Sequence, residues 1–250
     1  PSAAAPWLPE GLVVDGPFDL RSDPLFARGA LVAQSRAAIA AARLLAPPPG
    51  ARVLDLCAAP GGKATHLAAL VGAAGEVVAV ERHPGRAEAL RRTCERMGVA
   101  DIVRVETADA TEPRPTGDRY DAVLVDPPCS GLGTLQGRPD LRWRASPEGI
   151  ATLAELQLAL LRAGAAALRP GGALVYVTCT ISPTENERVV AAFLAGTPDF
   201  ACTFMRQVLP HREGTDGFFY ARLERVGGAT SATGVRRMRY HEGVRGGQGT

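Results

Sequence analysis

Lysine is almost missing from this sequence of 250 residues: of its 28 basic side chains one, Lys63, is lysine and the rest are arginine. A compact ammonium kept inside a glycine-rich stretch points to a tight site, because lysine and arginine are not interchangeable there. No run reaches about 18 uninterrupted apolar residues, so no membrane span is indicated. The first residues, Pro1-Ser2-Ala3-Ala4-Ala5-Pro6, lack the basic segment and apolar run of a secretory signal. They also lack an initiating Met, as a fragment or a processed product would. The five cysteines, at 57, 94, 129, 179 and 202, contain no C-x-x-C pair. Neither a disulfide framework nor a zinc site is expected, and free thiols fit a cytoplasmic protein. The net charge of +2 is too small to argue for nucleic acid by itself. The end of the chain, 226–250, holds four arginines against Glu242 and reads as a basic, disordered tail. An apolar share of 46% and a charged share of 22% are ordinary for a globular domain.

What is present alternates. Ala27–Leu45 has helical apolar spacing and stops at Pro47-Pro48-Pro49-Gly50. Arg52–Leu56, Glu76–Val80, Ile102–Glu106, Ala122–Val125 and Ala173–Val177 read as strands. Ala64–Val71, Arg86–Met97, Ile150–Leu168 and Glu185–Leu194 read as the helices between and after them, and Pro170-Gly171-Gly172 as a turn. Strands apolar on both faces, alternating with helices, predict an α/β doubly wound domain with a mostly parallel sheet. Thr203–Leu209 and Phe218–Leu223 predict an antiparallel pair closing it. The division expected is a lead-in with one helix over 1–50, a catalytic domain over 51–225, and the tail. Ligands in such folds sit beyond the carboxyl ends of the strands, and each motif below follows a strand.

Cys57-Ala58-Ala59-Pro60-Gly61-Gly62-Lys63 follows the first strand and opens a helix. Small residues let a backbone approach a ligand, and a helix start offers free N–H groups. A phosphate loop needs Gly at 57 and Ser or Thr at 64, but Cys57 and Ala64 stand there; the dinucleotide pattern G-x-G-x-x-G is absent too. Glu81, at the next strand end, can hold ribose hydroxyls, and Asp109, past the third strand, an adenine amino group. S-adenosylmethionine satisfies both: it has a ribose and no pyrophosphate. Either acid alone also reads as a solvated strand-end carboxylate.

Asp126-Pro127-Pro128-Cys129-Ser130-Gly131 follows the fourth strand and Thr178-Cys179-Thr180-Ile181-Ser182 the fifth, so two cysteines stand at neighbouring strand ends. A lone strand-end cysteine is usually a small buried hydrophobe; a pair facing one crevice points to chemistry. Carbon 5 of cytosine is too weak a nucleophile to take a sulfonium methyl directly. A thiolate added at carbon 6 makes it enamine-like, and covalent catalysis divides the step. Asp126 is available as the acid beside the ring nitrogen.

The blocks DLCAAPGGKATHLA, VDPPCSGLGTLQGRPDLRW and YVTCTISPTENE resemble the motifs of the Sun-type RNA (cytosine-5) methyltransferases, which include bacterial small-subunit ribosomal RNA enzymes. The ending LPHREGTDGFFYARL resembles the family's final strands, so the likeness runs from Leu25 to Arg225. It implies Cys179 as nucleophile, Cys129 as the aid to product release, and a cofactor site made of Cys57, Ala58, Ala59, Pro60, Gly61, Gly62, Lys63, Glu81, Asp109 and Asp126. It implies S-adenosylmethionine as cofactor and RNA, ribosomal RNA first, as partner, for a cytoplasmic monomer without a metal. Two departures stand out: Glu81 is where the family often has Asp, and residues 1–50, where ribosomal members commonly carry a helical RNA-binding domain upstream, hold little beyond a short lead-in and one helix.

Arg138, Arg142, Trp143 and Arg144 cluster after the P-P-C block and are candidates to hold an RNA backbone and stack on a base; the plainer reading buries Trp143 under a surface arginine cluster. Two rival functions remain at this level. One is amino-group methylation by the D-P-P loop, which predicts an aromatic where Cys129 stands. The other is an RNA-binding or assembly factor that keeps the fold without turnover.

Overall fold

The computed structural model describes residues 2–5, 8–14, 16–115, 117 and 119–226, so the tail expected from 226 onward lies, Val226 apart, outside the described residues. In chain order the elements are β1 (Ser2–Ala5), β2 (Leu8–Val14), α1 (Pro24–Ala27), α2 (Arg36–Leu45), β3 (Arg52–Leu56), α3 (Gly62–Val71), β4 (Glu76–Glu81), α4 (Pro84–Arg96) and β5 (Val103–Thr107). They continue with β6 (Tyr120–Val125), α5 (Leu141–Arg144), α6 (Pro147–Ala167), β7 (Leu168–Thr178), α7 (Glu187–Gly196), β8 (Phe200–Val208), α8 (Pro210–Glu213) and β9 (Phe218–Arg225).

Seven strands form one sheet in the order β5-β4-β3-β6-β7-β9-β8. The five strands from β5 to β7 run parallel, and β9 joins antiparallel to both β7 and β8. The expected Rossmann-like architecture with its closing antiparallel pair is the one observed. The largely apolar runs of β3, β4 and β6 are buried on both faces because helices cover both. Val53, Val77 and Leu124 pack on the side of α2, α3 and α4, while Leu54, Val78 and Val123 pack on the side of α6 and α7. Chain order reverses at β3, with β4 on one side and β6 on the other, and that switch point opens the crevice at the carboxyl ends.

Three elements differ from expectation. The helix expected over Ala27–Leu45 begins only at Arg36, where Ser35 accepts the Ala38 N–H at 3.2 Å as its cap. The preceding loop is drawn instead onto α4: Arg96 donates to the carbonyls of Phe26 and Leu31 at 2.7 and 3.0 Å. The lead-in also contains an antiparallel pair, β1 with β2, which apolar spacing did not reveal. Pro170-Gly171-Gly172 lies within β7 as an irregularity: Tyr120 pairs with Leu168, but Ala122 pairs with Ala173, and Gly171 adopts φ +77° to absorb the extra residues. Helix α6 is long and apolar enough to cross a bilayer, yet its Leu160, Leu161 and Ala165 are buried against the sheet.

Candidate active site

The loop after β3 is shaped by its backbone. Cys57 takes φ +65° and Gly61 φ +109°, and the Ala58 N–H donates to the Val80 carbonyl at 2.9 Å. A methyl group at Gly61 would stand 2.7 Å from Leu90 Cδ1, so α4 closes on this turn and only glycine fits. No side chain caps the start of α3, which leaves its first N–H groups free for a ligand. Burial pushes the Cys57 thiol up to about 12, with the Asp126 charge adding to it, so this cysteine is a wall of the site and not a nucleophile.

Two acids stand at the neighbouring strand ends. Glu81 is 3% exposed, accepts the His83 N–H at 2.9 Å and has Arg86 3.5 Å away. Asp109 accepts from the Thr111 N–H and hydroxyl at 2.9 and 2.7 Å, and these donors hold its carboxyl below the usual range. Its side chain is more open than that of Glu81, with Arg82 at 3.7 Å. An uncapped helix start, a left-handed turn without side chains and two oriented carboxylates on successive strands suit the amino-acid, backbone-hugging and adenosine parts of S-adenosylmethionine.

Lys63 reaches out of this loop to the next one, with Nζ 2.7 Å from Asp126 Oδ2. Burial works against its charge, but the charge and hydrogen bond of Asp126 outweigh it and raise the lysine above its ordinary value. Beneath the pair lies Asp55, which sequence reading passed over as a strand residue. It is fully buried, neither carboxylate oxygen has a hydrogen-bond partner, and burial first, then Asp126, pushes it up to about 8. An acid inside the apolar run R-V-L-D-L was the available signal.

The two cysteines meet: Cys129 Sγ and Cys179 Sγ are 3.3 Å apart. The pair is asymmetric. A hydrogen bond from Cys129 and the Lys63 ammonium favour the thiolate at Cys179 and lower it, against burial and the Asp126 charge. The same contact, with burial, raises Cys129 well above an ordinary thiol. Their loops are locked by a network that sequence reading also missed. Glu185 is buried and accepts from the Ser130 N–H at 2.8 Å, from the Ser130 hydroxyl, and from Gln157 Nε2 at 3.0 Å. Gln157 also donates to the Pro128 carbonyl at 2.9 Å, and Asn186 Nδ2 to the Thr180 carbonyl at 3.1 Å. Because Glu185 and Asn186 turn inward, α7 starts at Glu187, two residues after the expected start. A second lock is pure backbone: the Gly133 N–H donates to the Cys179 carbonyl at 3.0 Å, and the Gly217 N–H to the Gly133 carbonyl at 2.8 Å.

The sequence candidates thus converge, with the cofactor loop, Glu81, Asp109, Asp126 and both thiols at one end of the sheet. Trp143 does not lie beneath the arginines; it is 82% exposed, with Arg142 Cζ 5.6 Å from its ring centroid, so the plainer reading of this cluster fails.

Relatives carry the same stretch. A Synechocystis protein named probable ribosomal RNA small subunit methyltransferase B is 40% identical over 244 residues, covering 90% of this chain and 54% of the relative. The Thermus thermophilus ribosomal RNA small subunit methyltransferase B is 45% identical over 204 residues, covering 77% of this chain and 50% of its own. The chain therefore spans about half the length of the curated relatives it matches. Among solved structures, NSun6 from Pyrococcus horikoshii with SFG, an analogue of S-adenosylmethionine, superposes with a TM-score of 0.77 at 31% identity, covering 83% of this chain and 56% of that one. Such neighbours go with S-adenosylmethionine as the cofactor. The family model described as 16S rRNA methyltransferase RsmB/F matches residues 42–224, and the chain belongs to that family.

Proposed function

We propose that this chain methylates carbon 5 of a cytosine in small-subunit ribosomal RNA through a covalent bond between Cys179 and carbon 6 of the base. The observation that carries the reading is the thiol pair, 3.3 Å apart beside the Lys63–Asp126 ion pair. Cytosine-5 transfer needs one sulfur to attack and one group to help that sulfur leave. Methylation of an exocyclic amine needs neither.

S-adenosylmethionine, when bound, supplies an electrophilic methyl group. The protein's own part begins with the Cys179 thiolate, which adds to carbon 6 and pushes negative charge into the ring. Asp126, held by Lys63, is the carboxyl through which a proton reaches the ring nitrogen, and Lys63 is the cation that offsets the charge. After a base has taken the carbon 5 proton, the Cys179 sulfur must depart. Cys129 is placed to hydrogen-bond the leaving thiolate, the same contact that favours the thiolate at rest. The target base has to leave its stack to enter this crevice.

The test is mass spectrometry of nucleosides from unmodified small-subunit RNA incubated with the protein and S-adenosylmethionine. 5-Methylcytidine is expected, absent with Cys179→Ala. N4-methylcytidine would overturn the reading, and cofactor binding without any methylated nucleoside would favour the idle assembly factor.

A further inference from the structure

Trp143 is the most exposed of the large hydrophobic side chains among the described residues, and it is not on a loose end. Its helix, α5, is tied to the Cys129 loop. A methyl group at Gly131 would stand 2.7 Å from Leu141 Cδ1, so that leucine packs directly on the loop. The Arg138 N–H donates to the Thr134 carbonyl at 2.9 Å, and the Thr134 hydroxyl to the Gly131 carbonyl at 2.8 Å. The indole is thus held exposed on a short helix anchored to the Cys129 loop.

Between α5 and the first turns of α6 runs a cleft of about 200 Å³, lined by Cys129, Ser130, Leu141, Arg144, Ser146 and Ile150. It opens beside Cys129, and its Leu141 and Arg144 belong to the helix that carries Trp143. The rim carries more cations than acids: Arg138, Arg142 and Arg144 are exposed, against Asp140 and Glu148. Asp140 is paired with Arg144 at 3.4 Å in an open ion pair, which a phosphate can replace at little cost.

We propose that Trp143 is a stacking platform for an unpaired nucleotide beside the methylated cytosine, with the strand passing along the α5–α6 cleft to Cys129 and Arg142 holding its phosphate. An aromatic face with guanidinium groups around it fits single-stranded nucleic acid, since every base has a face to stack and every linkage a charge to meet. This rests on RNA being the substrate, as proposed above. It adds where the strand runs and which side chain reads its neighbouring base.

The experiment uses the chain with Trp7→Phe, so that Trp143 is its remaining tryptophan. Titration with a short unpaired RNA containing one cytosine should quench the indole fluorescence, and a fully paired duplex should not. Trp143→Ala should raise KM for RNA roughly 5- to 150-fold, the effect of losing one base–aromatic stack, with kcat at saturating RNA and cofactor affinity kept. Trp143→Phe should restore most of the loss. Arg142→Gln should lower the slope of log affinity against log salt by about 0.7, the value for one phosphate on a single strand. No quenching together with an unchanged KM in Trp143→Ala overturns the platform. Quenching with a product other than 5-methylcytidine supports the platform and overturns the reaction assigned above.

Discussion

Lys63 Nζ sits 2.7 Å from Asp126 Oδ2, joining the first turn of α3 to the loop after β6 across the switch point of the sheet. This contact is where the sole lysine of the chain is used, and its side chain is 14% exposed. A planar guanidinium is wider than an ammonium and needs more donors satisfied. Lys63→Arg should therefore keep the charge, displace Asp126 and slow methylation by up to about 10²-fold, the scale of an ångström-sized misplacement. Lys63→Met should also lower stability, by about 1–3 kcal/mol, since it leaves a partly buried carboxylate without its partner. Single-turnover rates and denaturant melts check the two, and a fully active Lys63→Arg would make the lone lysine an accident of composition.

The thiol pair predicts opposite outcomes for its two members. Under the roles proposed, Cys179→Ala removes the attacking sulfur, so neither methylated RNA nor a covalent complex should form. With Cys129→Ala the attack and transfer should proceed while departure slows, leaving protein and RNA linked as a band that survives denaturing electrophoresis. Both variants should bind cofactor normally, because Glu81 and Asp109 lie elsewhere. Adducts with Cys179→Ala and none with Cys129→Ala would exchange the roles.

The asymmetry has a pH signature. Because Cys179 is lowered from an ordinary thiol, the folded protein holds its thiolate at pH values where a free cysteine is still protonated. Alkylation by iodoacetamide should thus begin at Cys179 and at lower pH than at Cys129, which is raised. Cys129→Ala removes the donor and should move the Cys179 profile upward. Peptide mapping of the alkylated sites against pH reads this directly, and simultaneous labelling of both cysteines would contradict it.

Asp55 predicts a change in the pH dependence of stability. Its folded value of about 8 lies above the ordinary 3.8, so between the two the folded chain holds a proton that the unfolded chain has released. Stability must then fall as pH rises from about 4 to about 8. Asp55→Asn, which resembles the protonated acid, should flatten that slope. The melting temperature of the variant should gain on the parent by about 2–4 °C for each 1 kcal/mol relieved. Parallel pH–melting curves for the two proteins would show that Asp55 is charged in the fold.

How much of this was legible in the sequence depended on distance along the chain. β3, β4 and β6 announce themselves because a doubly covered strand must be largely apolar, and Pro and Gly bound each run. The cofactor loop and the two cysteine loops were legible because each packs its chemistry into a few consecutive residues. Asp55 was not, because its consequence comes from burial by other elements. Glu185, Gln157 and Ser130 meet across 28 and 55 residues, and nothing local marks an acid at a helix start as an inward clamp. The lead-in failed for a related reason. Ala-rich spacing over residues 27–45 promised one helix, but Arg96 of α4 takes the carbonyls of Phe26 and Leu31, and tertiary contact overrides local propensity.

Gly133 and Gly217 approach so closely that a methyl group on the former would stand 1.9 Å from the latter's carbonyl oxygen. No exchange of side chains between the two positions can be compensated, for there is no side chain to trade. The segment between β8 and β9, which to a protein engineer looks like a free place to graft an epitope or open new termini, is therefore tied through Gly217 and Gly133 to the Cys179 carbonyl. Cutting the chain there would leave a whole sheet and a loosened Cys179.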